Sequence, residues 1–540
     1  MSTDPVITPV EAPTALSGAS TARRAHLARN TLLVGAAFGL AALAGLYRNM
    51  VIAYQFGIGA DLDAYYAAFR LPDLLFTVVA GGALATAFIP VFAALLADDD
   101  RAGAWRLASA ITNLVVIIVS LLGILVGLAA PWLVSHVVAP GFDAGQQAET
   151  VTVMRVVLLS VVIFAISSVQ SSVLHGFKHF LLPALAPALY PLGIALGAVV
   201  LAPRLGVLGL AIGAVIGAVF HLAIKIPGLI YYGFRWWPLL GLRTAAVRQV
   251  GILIGPRILD LALFHGTLLV TTNLASRLGA GSVSALEWGW DAMQLPETII
   301  GTAFGLVAFP TLSELAARRD LAGLRGTLAE TLRAVLALAV PAAVGLILLG
   351  RPLVAVLYQR GAFDAGATGA VYEALRFFAL GLVGHTTLEL VARAFFAQQD
   401  TLTPLWVAAV SAALNIGLGL LLMGPLGYGG LALANSIAVT LEVIVLLALL
   451  RPRLGGVEGR RTLSALGRIL AAAAVMGLAV VGVLTLASSA GMEGLPVVLA
   501  AAAAGAAVYA LAALAFGVTS VRRLWRLLTY RAPHSEVARP

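Results

Sequence analysis

The stretch LDAYYAAFRLPDLL, residues 62–75, carries Asp63, Arg70 and Asp73 in otherwise apolar surroundings. On a helix, Asp63 and Arg70 fall on one face about 10 Å apart, and Arg70 and Asp73 are i,i+3 neighbours able to neutralise each other. Asp63 also sits in the first turn of its helix, where the dipole favours an anion, so it reads equally as a cap. Arg48 lies about 12 Å inside the preceding apolar run. Snorkelling relieves part of that burial, and a cavity or a partner such as Asp63 would relieve the rest. A guanidinium so placed suits a phosphate, whose oxygens its planar fork grips in pairs. Farther along, Glu287 and Asp291 are like charges at i,i+4, which calls for a cation, a proton or an arginine between them, or for a wet cavity wall. Arg257, with Asp260, could serve them, or could snorkel from its place just after Pro256. His265 and His385 read as packing residues on apolar spans, and Glu389 with Arg393 as a structural i,i+4 pair.

These charges are notable because of what surrounds them. The 540 residues are 61% hydrophobic and 11% charged, with a mean hydropathy of +0.99, far from a soluble domain with about a quarter of its residues charged. Apolar runs long enough to span a bilayer recur about fourteen times. The sequence therefore predicts an all-α polytopic membrane protein. The net charge of +9 is distributed by side. Arg23, Arg24, Arg29, Arg318, Arg319, Arg325, Arg451, Arg468, Arg522, Arg523 and Arg526 fall on one face, against Arg204, Arg351 and Arg360 on the other. That asymmetry puts both termini in the cytoplasm and argues against nucleic acid as the partner of the basic residues. The chain has no cysteine, which excludes disulfides, thiolate metal sites and cysteine nucleophiles. No metal site and no cofactor is expected. Residues 1–29 are polar and lack an apolar core, so they read as an unstructured cytoplasmic tail and not as a signal peptide.

Two regions echo each other. FGIGADLDAYYAAFRLP followed by AFIPVFAALLADDDRAGAWR, residues 56–72 and 87–106, matches LGAGSVSALEWGWDAMQLP followed by AFPTLSELAARRDLAGLR, residues 278–296 and 308–325. Each has a Gly-x-Gly turn, a helix interrupted at Leu-Pro, a second proline and a polar loop. The offset is six spans, an even number, so the halves run through the bilayer in the same sense, a known transporter plan. Residues 30–235 and 236–455 would form two six-helix lobes around a central cavity. Residues 456–519 add two helices, and 520–540 form a basic cytoplasmic tail.

At GLYRNMVIAYQFGIGADLDAYYAAFRLPDLL with GGALATAFIPVF, at GSVSALEWGWDAMQLPETIIGTAFGLVAFPTLSELAA, and at YQRGAFDAGAT with VARAFFAQQDTLTP and GPLGYGGLALANSIA, the chain resembles the MurJ (MviN) family of lipid II flippases, within the multidrug/oligosaccharidyl-lipid/polysaccharide exporter superfamily. The resemblance covers roughly residues 30–455. It implies alternating access that carries undecaprenyl-diphosphate-linked peptidoglycan precursor from the inner to the outer leaflet of a bacterial plasma membrane, for cell-wall synthesis. It implies a cationic central cavity for the diphosphate and sugars, and a groove in the last two spans for the lipid tail. Arg48 and Asp63 fall on the family's cavity arginine and aspartate. The family's further cavity arginines fall near Ala42, near Phe76 and Thr77, and at Asp291 or Ala292, and a nearby glutamate falls at Gly81. Cation ligands of spans eleven and twelve map onto Asn415 and Ser436, without a carboxylate.

The candidate substrate-binding set is Arg48, Asp63, Arg70, Arg257, Glu287 and Asp291. The alternatives are export of another polyprenyl-linked sugar or amphiphile, and a transport-dead scaffold that recruits partners such as the cell-wall machinery. A membrane enzyme would need acidic or histidine groups on a sizeable loop; no loop offers them, so no catalytic residue is expected. There is no P-loop, so any driving force comes from the membrane potential, from Na+ or H+, or from consumption of the lipid downstream. About 2.3 kcal/mol per charge per 100 mV is enough to bias such a transition.

Overall fold

The computed structural model describes the backbone of residues 15–80 and 82–518, and side chains within them except at 15–32, 34, 78–80, 82–83, 85–86 and 253–262. Among the described residues the regular structure is helical, with no strand. In chain order the helices are α1 (Ala15–Phe56), α2 (Ala60–Ala80), α3 (Gly82–Ala97), α4 (Arg101–Val138), α5 (Ala144–Gly176), α6 (Leu181–Leu205), α7 (Val207–Tyr231), α8 (Ala245–Ser276), α9 (Ser282–Ala317), α10 (Leu321–Tyr358), α11 (Ala365–Ala397), α12 (Leu402–Arg453), α13 (Gly459–Ser489) and α14 (Leu495–Ala515). In hydrocarbon a helix meets its own backbone hydrogen-bonding needs, so an apolar chain of this composition has little alternative.

Among the described residues, eleven helices are long and apolar enough to cross a membrane. This is fewer than the expected fourteen runs, for physical reasons. Helix α2 carries Asp61, Asp63, Arg70 and Asp73. The 52-residue α12 includes two of the runs, on either side of a break at Gly427 (φ 56°, ψ −141°). Helix α8 includes residues 253–262, whose side chains lie outside the described set. Helix α1 begins at Ala15, so helix covers part of the stretch 1–29 expected to be unstructured.

Local sequence starts the helices in a consistent way. Asp100, Asp143, Asp320 and Asp364 each accept a hydrogen bond from the backbone N–H three residues on, at Gly103, Gln146, Gly323 and Ala367. These caps pair otherwise orphaned donors at the helix starts. Helix α9 has no such residue of its own: the position before it is Gly281, in the left-handed region at φ +89°. Below its first turns, Pro296 is followed by a π-helical turn over Thr298–Thr302, a common response to a proline inside a helix.

The buried core is continuous across the two sequence repeats. Tyr65 and Leu71 of α2, Trp288 and Met293 of α9, and Phe363 ahead of α11 belong to one apolar cluster. Helix α2 packs on α5 within its own repeat and reaches across to α8 and α9. Helices α13 and α14 pack against each other and against α10.

Candidate functional site

The missing cap of α9 is supplied by the other repeat. Asp63, 0% exposed, accepts from Gly281 N (2.6 Å), Ser284 N (2.7 Å) and Ser284 Oγ (2.6 Å). The expectation that Asp63 caps its own helix or pairs with Arg48 is therefore corrected: it caps α9. The anion sits where the exposed N–H groups and the positive helix end favour it. Around it the turns interlock. A side chain at Gly57 (φ +62°) would strike the carbonyl of Ala362, and one at Gly281 would meet Ile58. Ala362 N donates to Tyr54 O at 2.9 Å.

One helical turn below, Trp288 Nε1 donates to Tyr66 Oη at 2.6 Å, and the Trp288 ring stacks on Phe363. The next turn brings Arg70. Its Nε donates to Thr272 Oγ1 of α8 at 2.7 Å and its Nη2 to Glu287 Oε2 of α9 at 2.5 Å. Arg70 thus ties α2 to both facing helices, and its expected neutralisation by Asp73 is replaced by the ion pair with Glu287. Asp73 is exposed while still acting electrostatically on Arg70. His265, expected only to pack, lies within electrostatic reach of Arg70.

Arg48 turns to its own neighbour. Its Nε and Nη2 both donate to Asn49 Oδ1, at 2.9 and 2.7 Å, so the fork is held in one orientation. Its electrostatic neighbours are Tyr66, Asp291, Tyr65 and Tyr190. Asn49, 9% exposed, also acts on the Asp291 carboxylate. The paired acids of α9 are thereby separated in role: Glu287 answers Arg70, and Asp291 faces Asn49 and Arg48. The result is a mixed-charge cluster of two arginines and three acids, lined by tyrosines, between the repeats.

The other expected residues lie elsewhere. The side chain of Arg257 falls outside the described residues. Ser436 uses its hydroxyl on Phe377 O at 2.7 Å, and Asn415 is buried on α12. Among the described residues, no group of three or more His, Cys, Asp or Glu side chains is placed to hold a metal ion. Glu389 and Arg393 do form their i,i+4 pair, at 2.8 Å, and Arg393 also donates to Thr302 O at the π-helical turn. His385 bonds Asn435 and stacks edge-on against Trp290. Sequence reasoning missed Asn49, Tyr66, Thr272, Ser284 and Trp288. The 222-residue spacing of Tyr66 and Trp288, the same as the repeat offset, was the signal that could have found that pair.

The family described as Lipid II flippase MurJ matches residues 52–501. The chain belongs to the MurJ family. The Lipid II flippase MurJ of Burkholderia cenocepacia is 30% identical over 439 residues, covering 79% of this chain and 84% of that protein. The Probable lipid II flippase MurJ of Rhizobium tropici is 30% identical over 441 residues, covering 79% and 81%. Among solved structures, a Lipid II flippase MurJ in its inward closed conformation superimposes with a TM-score of 0.76, covering 92% of this chain and all of that one, at 23% identity. An inward-facing MATE multidrug transporter of the MOP superfamily gives 0.63 over 78% of this chain and 95% of its own, at 16% identity; at these identities the likeness is one of fold. With its apolar helices and its bacterial relatives, this MurJ family member is a multi-pass bacterial membrane protein.

Proposed function

We propose that the protein moves lipid II from the cytoplasmic to the outer leaflet, for peptidoglycan synthesis, by alternating access between lobes 30–235 and 236–455. The observation that carries this reading is the charge cluster between the repeats. Arg48 and Arg70 stand together at the interface, both acting on Asp291, with the exposed Asp73 beside Arg70. A diphosphate reaching them would compete for guanidinium groups now held by Asn49 Oδ1 and Glu287, so substrate binding and release of the lobe contacts draw on the same donors. Glu287 and Asp291 would be unloaded as the phosphate takes their arginines, which leaves them free to accept a proton or a cation.

Orientation completes the scheme. With both termini in the cytoplasm, the turns at 57–59 and 279–281 face outward, and the Asp63 cap is part of a closed outer gate. Residues 456–519 would hold the lipid tail, and Asn415 and Ser436 remain the candidate cation ligands. The membrane potential, Na+ or H+ would drive the cycle, and the basic tails would approach the anionic leaflet and any cell-wall machinery there.

A reconstituted assay tests the function. Proteoliposomes containing the full chain and fluorescent lipid II should show protein-dependent transfer between leaflets, and Arg48→Ala should slow it at least tenfold. Transfer no faster than in empty liposomes, from correctly inserted protein, would refute the reading.

A further inference from the structure

The linker between α7 and α8, residues 232–244, plays no part in the charge cluster, yet it is firmly built. Asn113 of α4 donates through Nδ2 to the carbonyls of Trp237 and Leu239, at 2.9 and 2.8 Å, and accepts from Trp236 Nε1 at 2.9 Å. Trp237 N donates to Ser109 Oγ at 3.1 Å, and the Arg106 guanidinium lies 5.7 Å from the centre of the Trp237 ring. The segment so fixed leaves Trp236, Leu242 and, on α8, Ile252 exposed.

Beside these apolar side chains, Arg243, Arg248 and Gln249 line a hollow of about 370 Å³ together with Ala245 and Ile252. Both arginines are exposed, and neither is in an ion pair among the described residues. From residue 226 to residue 259 the sequence contains Arg235, Arg243, Arg248 and Arg257 and no acid. An aliphatic edge at Ile252 and the neighbouring Leu242, set against guanidinium forks, is the composition of a bilayer interface, with the apolar part for the acyl boundary and the forks for phosphate.

We propose that this hollow binds the phosphate of an anionic phospholipid headgroup, with Arg243 and Arg248 as its ligands and Gln249 as a further donor. The occupant is a lipid and not a soluble anion because the exposed Ile252 in the lining and Leu242 beside Arg243 offer acyl chains an apolar edge next to the forks. A lipid seated here sits on the one covalent connection between the two lobes. Only the naming of the leaflet, the cytoplasmic one, rests on the orientation proposed above.

The test does not depend on flipping. Full-length protein in detergent is titrated with phosphatidylglycerol or phosphatidylcholine, and lipid retained per chain is read by native mass spectrometry. Wild type should retain phosphatidylglycerol in preference to phosphatidylcholine, and Arg243→Gln/Arg248→Gln should weaken that retention roughly ten- to thirtyfold. The control Arg318→Gln/Arg319→Gln, an exposed basic pair elsewhere, should leave it within about twofold. Equal retention of the two lipids, an undiminished signal in the linker variant, or an equal loss in the control would each overturn the site. Full displacement by millimolar inorganic phosphate would overturn the lipid as its ligand.

Discussion

Trp288 and Tyr66 are joined by a 2.6 Å hydrogen bond and stand 222 residues apart, the same interval that separates the two Gly-x-Gly turns. Equivalent residues of a two-fold repeat meet only near its axis, so this bond lies where the axis of the proposed two-lobed arrangement would run. Replacing Tyr66 by Phe removes the acceptor and leaves the indole N–H unpaired, at about 1–2 kcal/mol. Trp288→Phe should lose more, because it also gives up stacking on Phe363. In a double-mutant cycle by thermal unfolding in detergent, the two changes should couple by about 1 kcal/mol. Strict additivity would show that the bond contributes nothing.

The Asp63 cap makes a prediction about opening. Asp63→Ala abandons two backbone donors and one hydroxyl at the start of α9 and, on the proposed alternating-access scheme, should weaken the closed outer gate by about 2 kcal/mol, roughly thirtyfold in the closed-to-open ratio. The chain has no cysteine, so a single reporter can be placed at Val283, which is 2% exposed. Val283→Cys should react slowly with an impermeant maleimide in the parent and much faster with Asp63→Ala added. Unchanged labelling would contradict the gate.

Asp63 also measures how far the sequence could be read. The helices, the repeat and the membrane class follow from apolar periodicity and from paired Gly and Pro signals, which are local. The charged residues were visible as anomalies for the same reason. Their partners were not, because partner choice is a tertiary matter: Asp63 skips its own helix for one 218 residues on, and Arg70 prefers Glu287 to Asp73 three residues away. A short stretch cannot show that Gly281 leaves α9 without a cap. Only the packing of the two repeats brings the carboxylate there.

Breaking the Arg70–Glu287 pair one side at a time should be worse than removing both. The side chains are 14% and 23% exposed, so leaving either charge alone should destabilise by about 2–3 kcal/mol, somewhat less than for a fully buried pair. Arg70→Ala/Glu287→Ala should recover part of that in chemical denaturation. A double variant no more stable than the worse single one would deny the pairing its structural role.

A fourth prediction concerns pH outside the spans. Asp400, in the loop between α11 and α12, accepts from Thr403 Oγ1, Thr403 N and Arg453 Nη1, and these bonds, led by the Thr403 hydroxyl, push its pKa down to about 2. A carboxyl depressed in the folded state stabilises above its unfolded value and loses that contribution as pH falls through the folded one. Asp400→Asn should therefore lower stability at neutral pH by about 1 kcal/mol. The gap to wild type should close as pH falls from about 4 to about 2. A gap that is constant over that window would assign the effect to something other than the carboxylate.

The most direct measurement depletes a bacterium of its own lipid II flippase and asks whether this chain restores growth, comparing wild type with Arg48→Ala at equal membrane levels. Growth restored by wild type and lost with Arg48→Ala is the predicted result. Failure of a correctly inserted wild type would contradict lipid II flipping, and rescue by both would remove Arg48 as the anchor of the substrate site.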